Sequence, residues 1–505
     1  MQRRESEQYS GFRRAGIRLA EEPADGMVHH SSERERPILY AIHAFDKAHL
    51  VMLAEEGLIP KQDAASMLEA LREMEKKGVE KTRLEVGGAF HSAEKYLIQK
   101  LGEEVGGRIH LGRSSGDVGV VARRIHQRDK LLLVMKQVNE LRAALLTTAS
   151  HYVAAIMPGY TFGQHAQPVT LGHTYAAWST MLARDFQRIA QAHERINTSP
   201  AGAVILTGTE FPLNRERVGE LLGFDRVREN TQDAILPHDD LFESLMTLVL
   251  LTDNLARWAS DLELWATTEF GFVDLPDRFC GTSSVMPQKK NPNALQVIRG
   301  AAADCLGGLV TAFHGLSGPT GFPILERHYA EATLRRCFDN TVQHLQWMTQ
   351  LVPALQINEQ VMADRVAASW CQATDIAGAL VREKGLPWRT AHQITGILVR
   401  TAIARGLRPS EIDVSLVDEA ARQYMGRPIE LSADSLQQAM DPAKVVGRRT
   451  LLGGPAPGET QRQIKSLQRE LTTDKRKVRG MDERLSKSAA KLEEAIDVIL
   501  GGESL

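Results

Sequence analysis

Residues 241–265 read LFESLMTLVLLTDNLARWASDLELW. Leu241, Leu245, Leu248, Leu251, Leu255, Trp258, Leu262 and Trp265 recur at steps of three and four, the period that lines side chains along one face of an α-helix. No Pro or Gly interrupts the run, so it predicts one unusually long helix. Upstream, Val121, Ile125, Leu132, Met135, Val138, Leu141 and Leu145 mark one stripe of the same period, and Leu171, Tyr175, Trp178, Leu182, Phe186 and Ile189 mark another. Downstream, Leu295, Ile298, Ala302, Cys305 and Leu309 follow Pro292 in the same way. Alternating β-branched runs between turn signals are scarce. The expected fold class is therefore all-α, a bundle of long helices whose apolar faces also suit contacts between copies of the chain.

Around that bundle the chain divides into four stretches. Residues 1–36 are polar and read as a mobile N-terminal segment, 37–117 as an N-terminal helical domain and 118–370 as the central long-helix bundle. Residues 371–505 read as a C-terminal helical domain. Past Trp370 the helices shorten, the stretch "ATDIAGALVREKG" stops at Gly-Leu-Pro, and "LLGGPAPGE" at 451–459 is a linker. Beyond it Ile464, Leu471, Val478, Leu485, Leu492 and Ile499 keep a seven-residue repeat, with Leu467, Met481 and Ala495 between them. One amphipathic helix packed on its own chain or on another subunit is expected there.

Bulk composition excludes several functions. The 505 residues are 43% hydrophobic, enough for a large core. Lys and Arg number 61 against 63 Asp and Glu, a net charge of −2, which gives no field for nucleic acid or an anionic membrane surface. Cys280, Cys305, Cys337 and Cys371 form no CxxC pair, and no His cluster has zinc-finger spacing. With neither a signal-peptide core nor a run of transmembrane length, the expectation is a reduced, cytoplasmic chain without metal or cofactor.

Chemistry-bearing residues concentrate in three segments at helix boundaries. "CGTSSVMPQKKNPN" at 280–293 is bounded by prolines that prevent it from continuing a helix, and its Lys289, Lys290 and Asn291 offer donors suited to a carboxylate ligand. "HLGRSSGDVG" at 110–119 presents Arg113, Ser114 and Ser115 just before a long helix, where a guanidinium fork and exposed amides favour anions. "PGYTFGQHAQPVT" at 158–170 carries Thr161, Gln164, His165 and Gln167 where one long helix ends and the next begins. Each segment alone is also explained by helix capping or a solvated turn.

The stretch "TSSVMPQKKNP" resembles the GSSxMPxKxNP signature of the fumarase/aspartase superfamily. Within it, "HLGRSSGD", "PGYTFGQHAQPVTLGH", "LTGTEFPLNRERVGELLGFDRVREN" and "ATDIAGALVREKGLPWRTAHQITG" are similar, in order, to blocks of the argininosuccinate lyase family, over roughly Leu39 to Arg462. The resemblance implies a three-domain all-α fold and a homotetramer whose active sites are assembled from loops of three subunits. It also implies elimination from an N-substituted succinate, releasing fumarate and an amine. On this sequence Ser283 falls on the general base, Lys289 and Asn291 on residues that hold a substrate carboxylate, and Ser114, Thr161 and His91 on substrate-binding positions.

Several positions depart from the family. Phe162 stands where a histidine usually follows the threonine, and Gln296 stands where its glutamate partner would be. A substrate nitrogen that already carries a proton can leave without such an acid, so the joint loss points to a different amine. His165, read as one helical turn from Phe162, is either a substitute for the missing imidazole or an ordinary surface or packing histidine. Ser115 and Gly116 replace a larger Arg and Asn, and "GPTGFPILERHYAEATL" lacks the family's Tyr-Asn-Arg-Asp-Met-Gln-Glu-Asp-Lys pattern. The expectation is a carbon–nitrogen lyase acting on an N-succinyl amine or amino acid, such as the substrate of ethylenediamine-disuccinate lyase, a relative. Authentic argininosuccinate lyase and a non-enzymatic bundle protein are the alternatives. A metal-dependent hydrolase built on "PHDD" at 237–240 and His29-His30 lacks a convergent ligand set.

Overall fold

The structure is a computed structural model and describes residues 32–321 and 326–501. His29, His30 and most of the segment expected to be mobile lie outside those residues. The two longest helices before the bundle are α1 (Leu39–Glu55) and α2 (Lys61–Lys77). The bundle helices are α3 (Ser115–His151), α4 (Leu171–Ile196), α5 (Asp239–Trp265), α6 (Asn293–Gly315) and α7 (Arg327–Leu351). Shorter helices follow: α8 (Ala373–Lys384), α9 (Trp388–Ala404), α10 (Val414–Met425) and α11 (Ala433–Met440). The last, α12 (Pro457–Gly501), runs for 45 residues.

All eight members of the stripe from Leu241 to Trp265 are buried along one face of α5. Trp178 of α4 stacks between two of them, its ring centroid 5.0 Å from Trp258 and 6.0 Å from Trp265. Every member of the α3 and α4 stripes is likewise buried. Each fully buried Leu or Phe removes enough apolar surface from water to contribute roughly 2 kcal/mol, so the sequence period is also the main energetic reason for the bundle.

The helices alternate in direction, which decides where the loops go. Arg124, near the start of α3, donates to the carbonyl of Ile196 at the end of α4 and to Thr198. Asp240, at the start of α5, faces Arg327 at the start of α7. At the other end Gln296, in the first turn of α6, meets Glu263 in the last turn of α5. Phe313, at the far end of α6, stacks on Phe242 at the start of α5 with centroids 4.1 Å apart. The starts of α3, α5 and α7 therefore share one end of the bundle with the ends of α4 and α6. The end of α5 and the starts of α4 and α6 share the other.

Three cores result. The N-terminal core combines α1 and α2 with Val118, Val121, Ala122 and Ile125 of α3. The bundle core takes α3 from Leu131 onward together with α4 to α7, and the residues from Ile376 to Ala439 enclose a third. The heptad helix α12 packs on its own chain, with Ile464, Leu471, Val478 and Met481 in the bundle core and Leu492 and Ile496 in the N-terminal core. It contributes nothing to the 376–439 core, so its packing groups it with the bundle and not with the shorter C-terminal helices. On the outer face of the bundle, Met246, Leu250 and Leu264 of α5 and Val297, Leu306, Val310 and Phe313 of α6 remain about half exposed. Among the described residues no helix is long and apolar enough to cross a membrane.

Candidate active site

Two antiparallel hairpins lie at helix boundaries: β1 (Ile156–Thr161) pairs with β2 (Gln164–Thr170), and the signature segment folds back on itself as the short strands β3 (Gly281–Thr282) and β4 (Lys290–Asn291). In the β3–β4 turn Ser283 Oγ accepts the backbone N–H of Met286 at 3.0 Å and of Val285 at 3.3 Å. Amides that donate to an oxygen stabilise its anionic form, so the backbone itself favours ionisation of this hydroxyl. A Cβ at Gly281 would lie 2.3 Å from Asn293 Nδ2, so a side chain there would displace the Asn293 amide. Lys289 is exposed, and among the described residues no carboxylate lies within ion-pair distance of it. Lys290 differs from its expected role as a free donor: Asp274 and Asp277 each approach its ammonium to 3.0 Å. Both acids precede the segment, so its acid-free composition concealed them.

The segment "PGYTFGQHAQPVT", read as a loop, forms most of the β1–β2 hairpin. Pro158 and Pro168 face each other in the ladder, and a two-stranded ribbon leaves each an outer edge where the missing N–H costs nothing. His165 is consequently not one helical turn from Phe162. It pairs across the ladder with Tyr160, whose hydroxyl lies 3.3 Å from His165 Nε2. Thr161 is the last residue of β1, exposed beside the turn formed by Phe162 and Gly163. Gln296 holds a carboxylate that the sequence did not flag: its Nε2 donates to Glu263 Oε1 at 2.8 Å, while Arg299 binds the other oxygen.

The segment around Ser114 caps α3. Ser114 Oγ accepts the amide of Gly116 at 2.9 Å and donates to the carbonyl of Val204 at 3.2 Å, and Asp117 Oδ1 returns the capping box by accepting the Ser114 amide at 2.8 Å. Ser115 is exposed in the first turn. Arg113, expected as an exposed clamp, is instead buried, with Nη1 on Asp46 Oδ1 at 2.6 Å. Arg83 binds the other oxygen of Asp46 at 2.6 Å. Arg113 Nε and Nη2 have no hydrogen-bond partner.

His91 lies under the same end, buried, with Nδ1 3.3 Å from Glu94 Oε2, to which His110 Nδ1 also comes within 3.0 Å. Burial acts to raise the Glu94 carboxyl, but hydrogen bonds from His110 and His91 outweigh it and leave the group at about 2. The ligand atoms of His91, Glu94 and His110 lie within 4.8 Å of one another. One carboxylate oxygen bracing two imidazoles accounts for that spacing without an ion.

One chain does not bring the two sets together. Arg113, Ser114, Ser115 and His91 sit at the start of α3, whereas Thr161, Ser283, Lys289 and Asn291 belong to segments at the opposite end of the bundle. The intervening α5 has 27 residues, which at 1.5 Å per residue spans about 40 Å. No side chain bridges that distance.

Comparison with known proteins agrees with this architecture. A family model described as Lyase matches residues 21–307, and one described as Argininosuccinate lyase C-terminal matches residues 370–447. The argininosuccinate lyase of Methanosarcina acetivorans is 34% identical over 488 residues, covering 95% of this chain and 97% of its own. Among solved structures, EDDS lyase in complex with formate superposes with a TM-score of 0.86 at 32% identity, over 92% of each chain. A variant of EDDS lyase with bound fumarate gives the same values. The helical bundle and signature turn are those of a carbon–nitrogen lyase of the fumarase/aspartase superfamily. Within that superfamily the chain belongs to the argininosuccinate-lyase-like family.

Proposed function

We propose that the protein eliminates an amine from an N-substituted succinate, releasing fumarate, and catalyses the reverse addition. Ser283, with two amides directed at Oγ, is the observation that carries the reading. A hydrogen on carbon beside a carboxylate is weakly acidic, and its removal places charge on that carboxylate as an aci-form dianion. Ser283, as the alkoxide its two amides stabilise, takes the proton, Lys289 and Asn291 hold the dianion, and the electron pair then expels the nitrogen, which already carries a proton, as the neutral amine while the carbon–carbon double bond forms.

The opposite placement of the two loop sets supports a homotetramer in which each site combines segments of different copies. The half-exposed apolar residues of α5 and α6 supply a surface for such contacts. The amine we favour is one other than that of argininosuccinate, since Phe162, Gln296, Ser115 and Gly116 alter the amine side while the fumarate side is kept. The relatives' names support argininosuccinate as the second reading.

The test is incubation of the protein with fumarate and a panel of amines that includes arginine and ethylenediamine, with N-succinyl products followed by mass spectrometry. Adducts are expected, and Ser283→Ala should lower their rate by at least ~100-fold, the ordinary scale of a positioned general base. Absence of any adduct, or equal rates in Ser283→Ala, would overturn the proposal, the first result in favour of a bundle protein without turnover and the second in favour of a different base.

A further inference from the structure

Among the described residues four that are not glycine adopt positive φ: Ala89 at 49°, Phe162 at 54°, Val204 at 56° and Glu430 at 54°. This conformation is unfavourable for any L side chain and most so for a β-branched or bulky one, and it persists where surroundings or function demand it. Three of the four adjoin residues of the proposed site. Ala89 precedes His91 by two positions, Phe162 follows Thr161, and the carbonyl of Val204 receives the Ser114 hydroxyl.

Two of these turns each display one large apolar side chain. Phe162 is fully exposed, 102% relative to a free residue, so the fold of its own chain gains nothing from the ring. After strained Val204 comes Ile205, 48% exposed and lying over the first turn of α3. Its Cδ1 would be 2.6 Å from a Cβ added to Gly116, so Ile205 fills the space that a side chain at 116 would occupy. Among the described residues Arg365 acts on the hairpin, but at Tyr160 and His165, one ladder pair in from the tip. The hairpin tip is Thr161, Phe162, Gly163 and Gln164, and beside Ile205 the exposed residue is Ser115, with Arg113 and Asp117 both buried. None of the four tip residues, nor Ile205 or Ser115, carries a charge to pair with a guanidinium, an ammonium or a carboxylate.

We propose that Phe162 of one copy and Ile205 of another are the specificity-determining residues of the amine side, and that the departing amine carries an uncharged hydrocarbon group, aromatic or branched alkyl. The inference rests on the elimination proposed above and narrows its substrate to N-alkyl or N-aralkyl aspartates. The bond changes are those already given: the carbon–nitrogen bond breaks with its electrons on nitrogen, and the hydrocarbon group takes no part. An apolar wall discriminates through burial alone, by roughly ten- to a hundredfold for each well-placed group.

The experiment uses the full chain with saturating fumarate and, in turn, benzylamine, cyclohexylamine, methylamine, ethylenediamine and arginine. Benzylamine or cyclohexylamine should exceed each of the other three in kcat/KM by at least about tenfold. Phe162→Asn, which suits a left-handed turn residue, and Ile205→Ser should each lower kcat/KM for benzylamine by about tenfold more than for methylamine, with the change chiefly in KM. Preference for arginine or ethylenediamine, or equal losses on benzylamine and methylamine in both variants, would overturn the apolar wall while leaving the lyase reading intact. No product with any amine would remove both.

Discussion

Asp117 joins the candidate site to the stability of the chain. Its carboxylate caps α3 through Oδ1, yet Oδ2 has no partner and the residue is fully buried. Burial pushes its carboxyl up to about 7, against the amides of Ser114 and Val118 and the charge of Arg113, which act the other way. A carboxyl raised on folding contributes stability that is complete below its unfolded value near 3.8 and is lost as pH rises towards 7. Asp117→Asn, which holds no titrating proton, should therefore gain on the wild type by roughly 3 kcal/mol at most between pH 5 and pH 8. Urea melts of both proteins at the two pH values measure this, and a gap that stays constant with pH would remove the prediction. At this scale the sequence disclosed types better than partners. Ser283, Lys289 and Asn291 were singled out because a long motif contains them, whereas the ion pairs of Arg113 with Asp46 and of Lys290 with Asp274 are tertiary contacts that no local pattern encodes. Glu263 beside Gln296 escaped for the same reason.

Helices longer than the usual three turns are legible because a single error in period would scatter their apolar residues, and the stripe on α5 is buried at every position. Leu248, with no exposed surface, is typical of that face, and Leu248→Ala should cost about 3 kcal/mol in a denaturant titration. The β1–β2 hairpin escaped because Pro158 and Pro168 look like strand breakers and its outer residues are polar. Only the ladder, with its irregular register between Pro158 and Tyr160, shows how the prolines are accommodated. At its tip, Phe162 and Gly163 both have positive φ, the requirement of a turn that favours Asn-Gly. Phe162→Asn should therefore raise thermal stability by about 1 kcal/mol, measured as an increase in Tm. A loss of stability would mean that the ring is anchored in the assembly.

Across the whole molecule, the distribution of loops predicts what happens when copies are mixed. If sites combine opposite ends of different chains, Ser283→Ala and His91→Ala proteins should each have little activity, and co-refolding them should restore part of it, because some sites then receive both intact residues. Failure to regain activity in mixed assemblies of confirmed size would contradict shared sites. Light scattering should give the mass of four chains, and Leu306→Asp with Val310→Asp, placing charge on the exposed face of α6, should lower both that mass and the turnover. The helix α12 has a consequence of another kind. Leu492 and Ile496 complete a core whose other members, from Ile38 to Phe224, leave the ribosome much earlier. The first-made domain must therefore wait, with part of its apolar surface open, until most of the chain has been translated. Domains ordinarily close in the order they emerge; here the earliest is sealed late, and a chaperone that shields nascent apolar surface has its longest task at the beginning of this chain.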